Sequence, residues 1–402
     1  MKSNRVSVLA TAAMLSLGLT ACGVIGSQAD DSPVIIGADL ELSGANAAVG
    51  KVYQDALELE VSQINANGGA DGHPLQLVIK DNHTQPQTAV TDIASLTADP
   101  NLAAVVTGSC SACLAAVAQT LQDKKVPTIS LAAADLTSLT AAAAAGAGSG
   151  GYLFKINPNA EDDAVMLAGQ LQSDPSTPAH DYAVLTTDDA YGNTLASDLE
   201  SQATKSNATE TAKEQVAAGA SDSRLRQAVQ EAVDESPDAL VIALLPDQAT
   251  AAVAVAREER FSGAMYFDAI GAGDLFFNSD QTRNQMSGVS MVAPQDMVID
   301  DVIATSPAET AAKEWFDAYT SKYGAFSAYS LYAADAIQLV ANAIGTAHST
   351  QRDQLRDAFE NTQMEGFAGP LRFTPDSHSG LSPQALANVT VTDDGRWHLT
   401  AS

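Results

Sequence analysis

Positive charge is scarce in this chain: 20 Lys and Arg stand against 49 Asp and Glu in 402 residues, for a formal net charge of −29. A field of that sign repels phosphate backbones and anionic lipid heads, so a nucleic-acid partner is excluded. The acidic surface reads first as a solubilising one. Cysteine is rarer still, with 3 in all, and the 6 His are scattered, which argues against a Cys-rich zinc centre. After Cys22 there is no uninterrupted apolar run long enough to span a bilayer; Ala239 to Ala256 comes nearest, and Pro246 and Asp247 interrupt it. The common hydrolase signatures, HExxH and GxSxG, are missing. Gly44 to Lys51 has the outline of a phosphate loop but one residue too many between Gly44 and Gly50, and Val52 stands where a magnesium-binding hydroxyl is needed. No metal and no cofactor are expected.

The N-terminus supplies the first positive feature. Lys2 and Arg5 precede an apolar stretch from Val6 to Ala21, shorter than the ~20 residues of a membrane span. It closes on Leu19-Thr20-Ala21-Cys22, which resembles a bacterial lipobox. On that resemblance residues 1–21 are a leader, the Cys22 thiol takes the diacylglycerol and fatty-acyl (palmitate-type) anchor, and residues 22–32 form a flexible tether. A plain secretory leader with an adventitious cysteine is the alternative. Either way the expected location is extracytoplasmic, and the roughly 380 remaining residues suit two domains better than one.

From Val34 onward short apolar strands alternate with helical stretches, the signature of parallel α/β layers. Strands are expected at Val34 to Ala38, Leu75 to Ile79, Leu102 to Val106 and Val126 to Leu131, with helices over Lys51 to Ala66, Pro86 to Ala98 and after Cys110. The pattern restarts at Tyr182 to Leu185, Ala239 to Leu244 and Met265 to Phe267, separated by helical stretches near Leu195, Leu225 and Ala252. Between the two series lies an Ala/Gly-rich patch, Ala141 to Gly151, read as a loop. Helices return over Ala311 to Tyr323 and Tyr329 to Ile344, and a ribbon of Asn388 to Thr392 and Trp397 to Leu399 turns at Asp393-Asp394-Gly395. The fold class is α/β, with two doubly wound lobes.

The ordered set "IIGADLELSG", "AVGKVYQDALELEVSQINANGGADGHPLQLVIKDN", "VVTGSC", "VPTIS", "YAVLTTDDAYG", "SLYAADAIQLVANAI" and "GFAGPLRF" resembles the leucine/isoleucine/valine-binding family, the type I periplasmic binding proteins of branched-chain amino acid importers. The resemblance covers nearly all of the chain after the tether. It implies two lobes joined by a three-segment hinge, with residues 33–157 and 294–369 in lobe 1 and 158–293 and 370–402 in lobe 2. It also implies a monomer that closes around a small ligand at the carboxyl ends of the strands and hands it to the permease of an ABC importer.

A free amino acid brings a carboxylate and an ammonium, and each charge needs a partner in a closed cleft. Gly108-Ser109-Cys110-Ser111 leads from a strand into a helix, a place where amides favour an anion. The resemblance puts the carboxylate-binding serine at Ser111, a backbone donor at Ala132, the acidic partner of the ammonium at Asp268, an aromatic lid at Tyr191 and an apolar pocket residue at Phe326. Ser111 also suits a helix cap, Asp268 a solvated or capping acid, and Tyr191 simple packing. This chain departs from the family at Val49, Ala134 and Leu245, where an aromatic, a ligand-holding threonine and a tyrosine are replaced. A bulkier or less polar ligand then becomes a candidate: an aromatic acid, an amide or a modified amino acid. Cys110 and Cys113 form a CxxC at the helix start, read as a short disulfide in an exported protein, with two free thiols as the alternative. Two other functions stay open: a sensory receptor of the same fold passing ligand occupancy to a signalling partner, and an exported enzyme on an α/β scaffold.

Overall fold

Apolar runs near the N-terminal end of the chain become the parallel strands of one sheet. The computed structural model describes residues 32–136, 139, 151–172, 179–275, 277 and 279–400. The leader, Cys22, nearly all of the tether and the Ala/Gly-rich patch up to Gly150 lie outside the described residues. Strand β1 (Val34–Leu40) is buried along almost its whole length, as a central parallel strand covered on both faces must be. Helix α1 (Ala47–Ala66) follows, and the turn after it needs glycine: Gly68 and Gly69 adopt φ of 103° and 80°. Then come β2 (Leu75–Asp81), α2 (Pro86–Leu96), β3 (Leu102–Thr107), α3 (Ser111–Asp123), β4 (Thr128–Ser130) and β5 (Leu153–Lys155). They pair in the order β2-β1-β3-β4-β5, all parallel.

The chain then builds a second sheet from α4 (Ala160–Leu171), β6 (Asp181–Thr187), α5 (Ala190–Lys205), β7 (Thr209–Val216), α6 (Asp222–Val233), β8 (Ala239–Ala243), α7 (Pro246–Glu258), β9 (Ala264–Phe267), α8 (Asp280–Met286) and β10 (Ser290–Pro294). It returns to the first sheet with α9 (Pro307–Tyr323), α10 (Tyr329–Ala347) and α11 (Arg352–Phe359). A small ribbon of β11 (Gln363–Gly366) and β12 (Gly369–Arg372) follows, before β13 (Leu386–Val391) and β14 (Trp397–Leu399) rejoin the second sheet. That sheet runs β14-β13-β10-β9-β8-β6-β7, parallel from β7 to β10 and antiparallel beyond. Two doubly wound lobes result.

Each sheet buries both faces. In the first lobe α2 and α3 close one side around Ile93, Val105, Leu114 and Leu121. The other side is filled by α1 and by α10, whose apolar residues Leu331, Ile337, Leu339 and Val340 are all sealed from solvent. In the second lobe α4 and α5 cover one face through Leu167, Leu195 and Leu199. Helices α6 and α7 cover the other through Leu225, Val229 and Val253.

In each lobe the strand order reverses between neighbours: β1 lies between β2 and β3, and β6 between β7 and β8. Loops leaving adjacent strands there diverge to opposite faces and leave a crevice at the carboxyl ends. The connections between lobes run beside that crevice. Lys155, at the end of β5, pairs through its backbone with the returning chain: its N–H donates to the His378 carbonyl at 2.8 Å and its carbonyl accepts from Gly380 at 2.8 Å.

Candidate functional site between the lobes

The first lobe's contribution begins where β1 and β3 end. Glu41, one residue beyond β1, is 1% exposed and makes no ion pair among the described residues. Its carboxylate is held by hydrogen bonds instead: Ser109 donates through its N–H at 2.8 Å and its hydroxyl at 3.0 Å, the Cys110 N–H at 3.3 Å and the Asn82 amide at 3.1 Å. Burial raises the Glu41 pKa, and these donors offset only part of the rise. Gly108 follows from this arrangement, since a Cβ there would stand 2.3 Å from a Glu41 carboxylate oxygen. The loop amides ahead of α3, which the sequence assigns to an incoming anion, are thus partly occupied by the protein's own carboxylate.

Helix α3 is capped by Cys110, whose sulfur accepts from the Cys113 N–H at 3.0 Å, and Cys110 and Cys113 are joined in a disulfide. Ser111 is therefore the first helical residue rather than the cap. With Ala112 it lines a chamber of about 230 Å³ shared with Leu131, Ala133 and Asn157 from the first lobe and Asp188, Tyr191, Leu245 and Ile270 from the second. Ser111 makes no side-chain hydrogen bond among the described residues and remains able to donate to a guest.

A second chamber of about 260 Å³ adjoins the first, sharing Asn46, Ala218, Leu245 and Tyr329. Val49 and Val52 of α1 form its near side, and Phe267, Phe277 and Trp397 its far side. Val49 and Leu245, two of the departures noted in the sequence, both line this space.

The second lobe places acids behind the first chamber. The Tyr191 hydroxyl lies 2.7 Å from Asp268 and 3.0 Å from Asp163, so it can give its proton to only one of the two at a time. Asp163 and Asp268 are 1% and 0% exposed, and each has one oxygen without a well-formed hydrogen bond among the described residues. Burial pushes Asp163 up to about 7. It pushes Asp268 well above the carboxylate range, with repulsion from Asp163 adding to it. At neutral pH the pair holds a proton. Lys155, fully buried nearby, donates its ammonium to the Ala133 carbonyl at 2.7 Å, and desolvation lowers its pKa to about 8.

Of the residues singled out from sequence, Ser111 and Tyr191 meet across the first chamber, with Asp268 immediately behind Tyr191. Ala132 and Ala134 are fully buried and line neither chamber; the Ala132 N–H is donated to the Ser130 hydroxyl at 3.1 Å. Phe326 packs edge-on against Phe316 and Tyr319, one residue from Ser327 in the second chamber. Glu41, Asn46, Asn157 and Tyr329 were not foreseen. Glu41 left a trace, an acid closing an apolar strand run two residues after Asp39; the other three carry no local signal.

Comparison with known proteins decides the family. A family described as periplasmic binding protein matches residues 33–396. The chain belongs to that family, with the type I fold. Similar solved structures include an extracellular ligand-binding receptor from Rhodopseudomonas palustris, 18% identical, with a TM-score of 0.81 over 92% of this chain and 100% of that one. The leucine-binding protein LivK of Thermotoga maritima is 16% identical, with a TM-score of 0.75 over 92% and 98% of the two chains. LivJ of Streptococcus pneumoniae, solved with isoleucine, is 22% identical with a TM-score of 0.72 over 92% and 99%. At these identities the likeness is one of fold. Among curated proteins, the chemotactic signal transduction substrate-binding protein BasB of Halobacterium salinarum is 28% identical over 167 residues, 41% of this chain and 40% of BasB. The match thus spans well under half the length of that relative. As a periplasmic binding protein the chain belongs with extracytoplasmic binders of small molecules. No described helix is long and apolar enough to cross a membrane.

Proposed function

We propose that the protein captures an amino acid, or a related small carboxylate or amide, between its lobes and delivers it to the permease of an ABC importer while tethered through a lipid on Cys22. It acts by binding rather than by catalysis. The observation that supports this most directly is the chamber at the carboxyl ends of the parallel strands of both sheets, where the Ser111 hydroxyl, without a side-chain hydrogen bond among the described residues, faces Tyr191 across the lobes. Ser111 and the first amides of α3 are donors for a carboxylate or amide oxygen. Closure of the hinge beside Lys155 would exclude water and strengthen them.

A thermal-shift screen of amino acids, amides and aromatic acids tests the reading, because a ligand that binds only the folded chain raises its melting point. Ser111→Ala is expected to weaken the best ligand by ~1–3 kcal/mol in calorimetry through the lost donor; unchanged affinity removes Ser111 from the site. Cys22→Ser is expected to move the protein from the membrane to the soluble fraction, and continued membrane retention would refute the lipid anchor. The chemotactic role in BasB's name favours one second reading, a sensor passing occupancy to a signalling partner. Dependence of uptake on an adjacent permease, against dependence of a motile or transcriptional response, separates the two.

A further inference from the structure

Neither chamber is lined by a Lys, Arg or His among the described residues. The second chamber has instead an excess of acceptors. Asp247 and Asp274 stand on its second-lobe side, and the Asp274 carboxyl is raised by desolvation first and by the charge of Asp247 second. Asn46 is 5% exposed, and its side-chain oxygen has no partner among the described residues although its amide nitrogen donates to the Ser109 hydroxyl at 3.1 Å. The side-chain oxygen of Gln248 is likewise buried and without a partner among the described residues, its nitrogen being spent on the Ala217 carbonyl at 2.9 Å. Buried acceptors left unpaired are costly, and a donor-rich guest removes that cost.

The aromatic lining has the same preference. Phe277 and Trp397 lie with ring centroids 6.0 Å apart on one side, and Tyr329 reaches both chambers. Ring faces attract a cation, more so when it is desolvated. Size matters as well: small-molecule pockets run to ~300–1,000 Å³, so either chamber alone is small and the two joined are not.

We propose that the ligand is a basic amino acid or close derivative lying across both chambers, its α-carboxylate or amide near Ser111 and its ammonium or guanidinium end in the second chamber against Asp247, Asp274, Asn46 and Gln248. This rests on the amino-acid reading above and narrows it. The Trp397 indole N–H, also without a partner among the described residues, is the opposing feature, since it would suit an oxygen at the ligand's far end. Citrulline, which replaces the guanidinium of arginine by a neutral ureido group, is therefore the decisive control.

Calorimetry of the soluble chain with arginine, lysine, citrulline, norleucine and leucine tests the assignment. Arginine or lysine is expected to bind at least ~10-fold more tightly than its neutral counterpart, citrulline or norleucine. Asp247→Asn combined with Asp274→Asn should collapse that ratio while leaving leucine unchanged. Val49→Trp, which fills the second chamber from α1, should weaken the long cations and spare alanine. Equal or tighter binding of citrulline or leucine, or a ratio the double variant does not alter, overturns the cationic assignment but leaves an amino-acid binder. Absence of binding by any amino acid, charged or neutral, overturns this assignment, and the parent reading falls with it only if the amides and aromatic acids of the thermal-shift screen also fail to bind.

Discussion

The two lobes bury carboxyl groups beside the same cleft in opposite ways. In the first, Glu41 is surrounded by Ser109, Cys110 and Asn82, whose oriented donors satisfy its carboxyl and offset part of the pKa rise that burial causes. In the second, Asp163 and Asp268 share one tyrosine hydroxyl, and each has an oxygen without a well-formed hydrogen bond among the described residues. A carboxylate with enough donors is part of the framework. A pair with too few must hold a proton, and its charge answers to pH and to whatever cation approaches. The first lobe's loop is preset before any ligand arrives; the second lobe's acids are not.

The largest effect that sharpens this contrast is expected at Glu41. Glu41→Ala strands the Ser109, Cys110 and Asn82 donors and should destabilise the fold by roughly 3–5 kcal/mol in urea titrations. A loss under ~1 kcal/mol would mean that the loop does not depend on it. Gly108→Ala should reproduce much of the loss by a different route, because its methyl group would strike the Glu41 carboxylate at 2.3 Å.

The second lobe should show itself in pH dependence. The folded pKa of Asp163 is raised from 3.8 to about 7, so its contribution is complete below the unfolded value and is lost as pH rises through 7. Asp39 and Glu60, both raised to about 7, and Asp335, raised to about 8, act in the same direction. Lys155 acts in the opposite one, as its lowered value of about 8 removes stability when pH falls through that point. Stability should therefore decline from pH 5 to 7, and Asp163→Asn should remove roughly 2–3 kcal/mol of that decline. A variant with the parent's slope would show that Asp163 does not take up a proton in this range.

The smallest effect belongs to the disulfide. Cys110 and Cys113 close a very short loop, for which chain entropy gives at most about 2 kcal/mol. Reduction should lower the melting point only slightly, while Ser111 between the two cysteines should lose order and ligand affinity. Unaltered affinity on reduction would show that α3's start is set by Glu41 alone.

Much of the framework is legible in the residues. The run Val34 to Ala38, the helix ended by Gly68-Gly69, and the ribbon at Asp393-Asp394-Gly395 all appear where local pattern puts them. β7 is not legible: Thr209–Val216 reads TETAKEQV, because as the outermost strand it buries little beyond Val216. The site was legible only in part. Ser111 and Tyr191 sit on strand-to-helix turns that sequence can locate, whereas Ala132 spends its amide on a neighbouring hydroxyl that no pattern reveals.

Sequence alone determined the alternation of strands and helices, the acidity and the two-lobed class, because apolar periodicity and turn residues act over a few positions. Tertiary structure decided which acid is paired with donors and which with another acid. It also decided that Val49, Leu245 and Tyr329 leave a second chamber beside the first. Those outcomes depend on segments far apart in the chain arriving at one crevice, where burial and mutual distance, rather than residue type, set charge and shape.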